Sequence, residues 1–370
     1  MNRLKRADIQ LGRPLPFSVY DAKGVLLLRR GFVITIEEQV DRLIDRGLFA
    51  GDDTSASDPG RPAPIPVYQR IGAAALRLKA LATDLHTDQP SADSVGRLNE
   101  LARDLLDALA QDPDAALAAL HLDFHNHYLL AHQVHCAALA GVLARRLEIG
   151  VAETLTLVGA ALTQDLGMID FNYLEKTPGQ LEEQHRSRMG GHPHASARML
   201  GKAGIRDPLW LDAVRDHHER LDGSGYPAGK PGEDIGRLAR ILAVADVYTA
   251  MIKPRAWRAA KVPLTAMQEL FAKKGAQFSA DICNALVKEL GMYPPGSLVR
   301  LASEEVAVVS RRTGDIQKPE IRSVYERQGL PRMTPLLRDA RDPAFAIQSA
   351  VSHAECQGAS LIIPRIWTGS

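Results

Sequence analysis

Histidine is the residue type that points to chemistry in this chain. Ten of its 12 histidines lie between His121 and His218, in a stretch that also contains several aspartates. Imidazole and carboxylate groups together form a common ligand set for Zn, Fe, Mn and related metals. Any one of these histidines taken alone is more often a surface or core residue than a ligand. The spacing of the histidines is therefore needed to distinguish metal ligands from ordinary surface or core residues.

The decisive spacing is in DHHERLDGSGYP, residues 216–227, where two adjacent histidines at a predicted helix end precede a glycine-rich turn. This run resembles the HHExxDGxGYP signature of HD-GYP domains, a long motif with many fixed residue types. The resemblance implies an all-helical, metal-dependent phosphodiesterase for cyclic di-GMP. It covers roughly residues 125–290. Further positions match in the same order: His132, Asp165, Lys176, His192 and Asp246.

The resemblance also implies a role for each matching residue. One metal ion would lie on His132, Asp165 and Asp246, and a second on Asp165, His192, His217 and His218, with Asp165 as the bridge. Asp165 and Lys176 would be catalytic. The implied substrate contacts are Lys176, Arg220, Asp222, Gly225, Tyr226 and Pro227. A metal pair suits a phosphodiester because it lowers the pKa of a water and neutralises charge in the transition state.

Two residues depart from the family pattern HDxGK, which reads here as QDLGM at residues 164–168. Gln164 replaces the histidine ligand, and its neutral amide oxygen is a poor ligand for a transition metal. Met168 replaces a lysine that contacts phosphate, and it carries no charge. In addition, Thr249 replaces an aspartate, and Tyr128 stands where some members have a carboxylate for a third metal. We therefore expect two metals at most.

Some of these residues also have purely structural interpretations. Asp165 and Asp246 could be capped or salt-bridged carboxylates, Lys176 an ordinary loop lysine, and residues 223–227 a tight turn. Three histidines near His132 could replace the lost ligand: His125, His127 and His135. We expect them instead to be solvated or capping residues, because a ligand must approach from the right direction to within a fraction of an ångström.

The periodicity of the chain predicts the elements that carry these residues. We expect a mainly α fold, in which an all-helical HD-GYP-type domain is flanked by a small N-terminal β-hairpin/α module and a small C-terminal β appendage. Residues 15–36 read as strand, turn and strand, with a helix over 37–46. The predicted segments are 1–50 (N-terminal module), 51–67 (linker), 68–111 (connector helices), 112–292 (helical domain) and 293–370 (appendage).

Composition excludes several classes of function. Lys and Arg number 45 and Asp and Glu 44, so the net charge of +1 gives no field that would attract a nucleic acid polymer or a membrane surface. No apolar stretch approaches the length of a membrane span, so we expect a cytoplasmic protein. Cys136, Cys283 and Cys356 have no CxxC spacing, which argues against a disulfide framework and a thiolate zinc site. We expect them to be small buried hydrophobic residues.

Two functions from different classes fit these observations. The first is a phosphodiesterase that converts cyclic di-GMP to pGpG or GMP with one or two divalent ions, Fe or Mn, and is impaired by Gln164 and Met168. The second is a degenerate domain without metal that serves as a cyclic di-GMP receptor or a docking module. With either function, the expected protein partner is a diguanylate cyclase or another signalling protein that binds at the surface of Gly225, Tyr226 and Pro227. A homodimer is a further prediction. Another phosphate ester is a third option, disfavoured by the GYP signature.

Overall fold

The protein consists of a small N-terminal sheet, a helical body and a C-terminal sheet. The structure is a computed structural model that describes residues 2–20, 24, 26–28, 30–34, 40–41, 43–44, 48–51, 65–123, 128–169, 183–254, 258–359 and 362–368. The predicted class, mainly α with small β modules at both ends, is confirmed.

The N-terminal sheet has four short antiparallel strands: β1 (Asn2–Arg3), β2 (Ser18–Tyr20), β3 (Leu26–Leu28) and β4 (Phe49–Gly51). Their order is β1-β4-β2-β3. The predicted hairpin is the β2–β3 pair, in which Val19 lies opposite Leu28. Strands β1 and β4 were not predicted, because two or three residues are too few to show an alternating pattern. Most of the helix predicted over 37–46 lies outside the described residues.

The helical body contains the main hydrophobic core. Its helices are α1 (Val67–Leu85), α2 (Ser94–Gln111), α3 (Pro113–Leu122), α4 (Tyr128–Arg146), α5 (Val151–Thr163), α6 (Glu183–Lys202), α7 (Pro208–Asp216), α8 (Arg237–Met251), α9 (Pro263–Ala272) and α10 (Ala280–Leu290). Helix α4 is apolar on almost every side, which fits its central position against α5 and α8. Apolar residues of α1 and α2 belong to the same core. The segment boundaries remain a prediction.

The C-terminal sheet is antiparallel, in the order β8-β7-β6-β5-β9. Its strands are β5 (Leu298–Leu301), β6 (Val306–Arg311), β7 (Glu320–Tyr325), β8 (Pro331–Arg338) and β9 (Ile347–Val351). A short helix, α11 (Arg365–Thr368), follows, and its Trp367 stacks on Tyr68 of α1 with ring centroids 5.5 Å apart. Arg312 donates to the main-chain carbonyl and the carboxylate of Glu289 and pairs with Asp114. The sheet is therefore joined to the helical body.

A helix that crosses a membrane has to be both long and apolar. None of the described helices is both long and apolar enough to cross a bilayer.

Candidate metal centre

Six side chains predicted as ligands meet at one place in the helical body. They come from the middle of α4, the turn after α5, the middle of α6, the end of α7 and the middle of α8: His132, Asp165, His192, His217, His218 and Asp246. All except His218 are buried, and the His218 side chain is 16% exposed. Residues separated by more than one hundred positions in the sequence thus share one polar cluster inside an apolar core.

Asp165 lies at the centre of the cluster. Its Oδ1 atom is 3.1 Å from Nε2 of His192 and 3.7 Å from Nε2 of His217. Its Oδ2 atom is 3.9 Å from Nε2 of His132. The two carboxylate oxygens thus face two different groups of side chains, which is the arrangement that a bridging carboxylate needs.

The second group surrounds Asp246. Its Oδ1 atom is 2.8 Å from Nε2 of His132, and its Oδ2 atom is 3.5 Å from Nδ1 of His218. The potential ligand atoms form two sets, and within each set all atoms lie within 4.8 Å of one another. One set is Asp165, His192, His217 and His218, and the other is His132, Cys136 and Asp246. Cys136 had not been predicted as part of the site, although it lies one helical turn after His132.

Main-chain carbonyls orient two of the imidazoles. Pro193 follows His192 inside α6 and has no N–H, so the carbonyl of Met189 lacks its usual helical donor. The Nδ1 atom of His192 donates to this carbonyl over 2.6 Å. His217, just past the end of α7, donates from Nδ1 to the carbonyl of Val214 over 2.7 Å, where the helix terminus leaves carbonyls without donors. Both rings therefore direct Nε2 into the cluster.

This cluster fits a cation. The Nε2 atoms of His192 and His217 are 3.3 Å apart, and neither carries a proton when Nδ1 is the donor, so their lone pairs face each other and Asp165. Without a metal, one ring must take up a proton. The pKa of His192 reflects this. Burial is the largest single effect and lowers it, but the hydrogen bond that the protonated ring donates to Asp165, the charge of Asp165 and the Met189 carbonyl together raise the pKa above its ordinary value. A divalent ion would satisfy the same lone pairs.

The Asp165 carboxyl is held in its charged form. Burial is the largest single effect and would raise its pKa, but hydrogen bonds that His192 and His217 donate when their rings are protonated, together with the charges of His192 and His132, hold the pKa well below the ordinary value. A permanently charged carboxylate is a better metal ligand than a protonated one.

Gly167 allows the turn that carries Asp165 to approach α6 closely. A Cβ atom at this position would lie 2.7 Å from Cβ of Ala195 and 2.9 Å from the carbonyl oxygen of His192. The Gly167 N–H also donates to Oγ of Ser196 over 2.9 Å. These contacts place Asp165 beside His192.

Gln164 is fully buried and faces the second group. Its Nε2 lies 3.4 Å from Oδ1 of Asp246 and 3.6 Å from Sγ of Cys136. Among the described residues its Oε1 atom has no hydrogen-bond partner, an unusual state for a buried acceptor. Met168 is half-buried and packs against the helical core, so no cation reaches the site from this position.

The glycine-rich loop after His218 shapes one wall of the site. The Tyr226 ring packs on the His218 ring with centroids 4.6 Å apart. A Cβ atom on Gly225 would lie 2.4 Å from the backbone of Glu219 and Arg220, so only glycine fits there. Asp222 accepts from the N–H of Ser224 over 3.0 Å, which makes it a turn-forming residue.

Glu219 anchors this loop, a role that the sequence reading missed. It is 2% exposed and accepts from the N–H groups of Ala228 over 2.7 Å and Lys230 over 3.0 Å. The sequence does contain a signal for this role, because Glu219 is the fixed glutamate of HHExxDGxGYP. Arg220 lies over the Phe278 ring, 4.9 Å from its centroid. Pro227 is half-buried in the same loop.

Some predicted residues cannot be placed. Lys176, His125 and His127 lie outside the described residues, as does the side chain of Tyr128. His135 was expected to be solvated or capping, and that expectation is wrong. It is 1% exposed, and its Nε2 lies 3.4 Å from Oδ2 of Asp123. Neither of the two ligand groups found among the described residues includes it.

A family model described as HD domain matches residues 98–282, half of the chain. The chain belongs to the HD domain family, as an HD-GYP-type member. It is 32% identical over 261 residues to a cyclic di-GMP phosphodiesterase of Pseudomonas aeruginosa, covering 68% of this chain and 62% of that protein. It is also 32% identical over 207 residues to a cyclic di-GMP phosphodiesterase response regulator of Xanthomonas campestris, covering 55% and 52%.

A third relative has a different named substrate. It is a 3'3'-cGAMP-specific phosphodiesterase of Vibrio cholerae, 30% identical over 174 residues, which cover 47% of this chain and 38% of that protein. Thus the HD-GYP chain spans less than two thirds of the length of these relatives. Among solved structures, an HDG"Y"P protein of Bdellovibrio bacteriovorus matches with a TM-score of 0.53 at 17% identity, over 77% of this chain and 97% of that one. This likeness supports the fold.

Proposed function

We propose that this chain is a metal-dependent phosphodiesterase of the HD-GYP type that acts on cyclic di-GMP, with hydrolysis weakened by Gln164 and Met168. The observation that carries the proposal is the position of Asp165, whose two oxygens face two separate groups of buried ligands. Relatives named for cyclic di-GMP support the substrate. Lys176 is proposed as a phosphate contact and Arg220, Asp222, Gly225, Tyr226 and Pro227 as the substrate mouth.

Each part of the site has a defined task in this proposal. When bound, a pair of divalent ions supplies a water of lowered pKa and neutralises charge on the phosphate oxygens. Asp165 holds the two halves at a fixed separation, and the main-chain acceptors of His192 and His217 keep their Nε2 atoms directed inward. Tyr226 packs on His218 and closes one side of the site.

The weakened rate follows from two missing interactions. Gln164 places an amide where the family has an imidazole, and Met168 removes a cation near the phosphate. Loss of one electrostatic contact to a transition state costs about 10²- to 10³-fold in rate. We therefore propose slow turnover by a site that still binds metal.

The test is hydrolysis of cyclic di-GMP by anaerobically purified protein loaded with Fe(II) or Mn(II), with 3'3'-cGAMP as the alternative substrate. Asp165→Asn is the blank, and the double variant Gln164→His/Met168→Lys is the restored control. We expect slow turnover in the wild type, none in Asp165→Asn and faster turnover in the double variant. Turnover that is equal in wild type and Asp165→Asn would reject the proposal.

A receptor or docking module is the second candidate. The observation that favours it is the contact of Gln164. Its amide donates a hydrogen bond to Asp246, so a contact within the protein stands where the family has a metal ligand. In that case the surface of Gly225, Tyr226 and Pro227 is where a diguanylate cyclase or another signalling protein would dock. Binding of cyclic di-GMP by calorimetry, without turnover except in the double variant, would support this function instead.

A further inference from the structure

The half of the site around Asp246 contains the imidazole of His132 but lacks the second imidazole that the family pattern has at residue 164, and it contains a thiol. Cys136 follows His132 by four residues on α4, so both side chains lie on one face of the helix. The same spacing places two metal-binding histidines on one helix in HExxH sites. Sγ of Cys136 lies 3.6 Å from Nε2 of His132, and both atoms belong to the same ligand group as Asp246.

We propose that Cys136 is a metal ligand in this chain and takes the place left by the histidine that Gln164 replaces. This inference rests on the proposed metal-dependent function. It gives one half of the site a sulfur ligand and leaves the other half with nitrogen and oxygen ligands only.

The two ligand atoms lie close together, but Cys136 has to rotate before both can bind one ion. A tetrahedral ion with bonds of about 2.3 Å to sulfur and about 2.0 to 2.1 Å to nitrogen holds these atoms about 3.6 Å apart. The observed distance is 3.6 Å. Sγ also lies 3.8 Å from Nδ1 of His132, beside the ring, so ligation requires a rotation about the Cα–Cβ bond of Cys136.

Burial and the Asp246 carboxylate both raise the pKa of the Cys136 thiol, so the sulfur stays protonated until an ion binds and displaces the proton. Gln164 directs Nε2 toward Sγ over 3.6 Å, and an N–H donor stabilises a thiolate. The Oε1 atom of Gln164 is also buried and has no hydrogen-bond partner in the part of the chain that the structure describes, which independently indicates a ligand at this place. Thr249 lies 3.0 Å from Sγ, where the family pattern has an aspartate. Its neutral hydroxyl adds no second negative charge beside a sulfur that already lies close to the Asp246 carboxylate.

Binding of a metal ion by Cys136 releases the thiol proton and changes which metals the site prefers. The metal–sulfur bond forms as the thiol proton leaves to bulk water, with no change in oxidation state. Thiolate ligands favour Zn, Co and Fe over Mn and Mg. Loading with Zn(II) or Co(II) should therefore fill both halves of the site, whereas Mn(II) should fill mainly the half formed by Asp165, His192, His217 and His218.

The test is titration of the full metal-free chain with Co(II). We expect two ions per chain and a near-ultraviolet sulfur-to-cobalt charge-transfer band. The Cys136→Ser variant should lose the band and one ion while keeping the visible bands of the other half, which also shows that it folds. Cys283→Ser and Cys356→Ser are matched controls, since both replace buried cysteines outside the ligand groups, and they should keep the band.

A second measurement needs no variant. X-ray absorption at the zinc edge of the wild type should show a sulfur neighbour at about 2.3 Å. Two bound ions with neither the band nor the sulfur neighbour would overturn the assignment of Cys136 and leave the proposed function intact. A band that persists in Cys136→Ser would also overturn it. If the wild type binds no metal at all, both the assignment and the proposed function are wrong.

Discussion

Replacing Gly167 by alanine should weaken metal binding although no ligand changes. The added methyl carbon would lie 2.7 Å from Cβ of Ala195 and 2.9 Å from the carbonyl oxygen of His192. Carbon atoms pack at about 3.5 to 4.0 Å, so the turn must move about 1 Å away from α6. The contact between Asp165 and His192, now 3.1 Å, would lengthen by a similar amount. Metal sites tolerate deviations of only about 0.2 Å.

We therefore expect Gly167→Ala to lower metal affinity about 10- to 100-fold, the range seen when a support of a ligand is lost. Overpacking should also reduce the free energy of unfolding by about 1 to 3 kcal/mol. The assays are metal content after dialysis against a chelator buffer and urea unfolding. Gly201→Ala in α6 is the control, since nothing lies within 4 Å of its added carbon and stability should hold or rise by about 1 kcal/mol. Equal metal affinity in the two variants would refute the reasoning.

Three further changes test other parts of the structure. Glu219→Gln replaces one of the two carboxylate oxygens that accept backbone N–H groups with an NH₂ group, which cannot accept. The free energy of unfolding, measured with urea, should therefore fall by about 1.5 to 3 kcal/mol. Arg312→Met removes the cation that joins the C-terminal sheet to the helical body, and we expect a loss of about 2 kcal/mol in the same assay. His121→Gln should reduce the acid sensitivity of the fold. Burial lowers the pKa of His121 to about 3, so the unfolded chain binds more protons below pH 6.5, and stability falls as pH decreases from there toward pH 3. At pH 5 this group contributes a loss of about 2 kcal/mol relative to pH 7, which the variant should lack.

For each of these three variants, one experimental result would contradict the prediction. A Glu219→Gln protein as stable as the wild type would mean that the loop does not depend on this carboxylate. An unchanged unfolding curve for Arg312→Met would show that apolar contacts alone hold the sheet. If wild type and His121→Gln lose equal stability between pH 7 and pH 5, another group causes the acid sensitivity.

Long motifs and strong periodicity made much of this molecule predictable. The run at residues 216–227 carries enough fixed residue types to identify the family, and the six predicted ligands then follow in order. The helices of the body were predictable because their apolar residues recur at helical spacing over ten or more residues. The hairpin β2–β3 was predictable because turn residues separate two apolar strands.

Other features depend on contacts that no local pattern records. Strands β1 and β4 have two and three residues, and their pairing joins the two ends of the N-terminal module. His135 looks like a surface residue beside other histidines, but α4 turns it toward Asp123 in the interior. Cys136 has no partner cysteine in the sequence, and only the packing of α4 against α8 brings it to Asp246.

The two halves of the candidate metal centre are oriented by different kinds of group. His192 and His217 donate to main-chain carbonyls, which are present whatever side chains the sequence carries. The other half is surrounded by side chains, Cys136, Gln164 and Thr249, and two of these are departures from the family pattern. A site built in this way can exchange ligands, and hence its metal preference, in one half by point substitution, while the backbone keeps the other half in place.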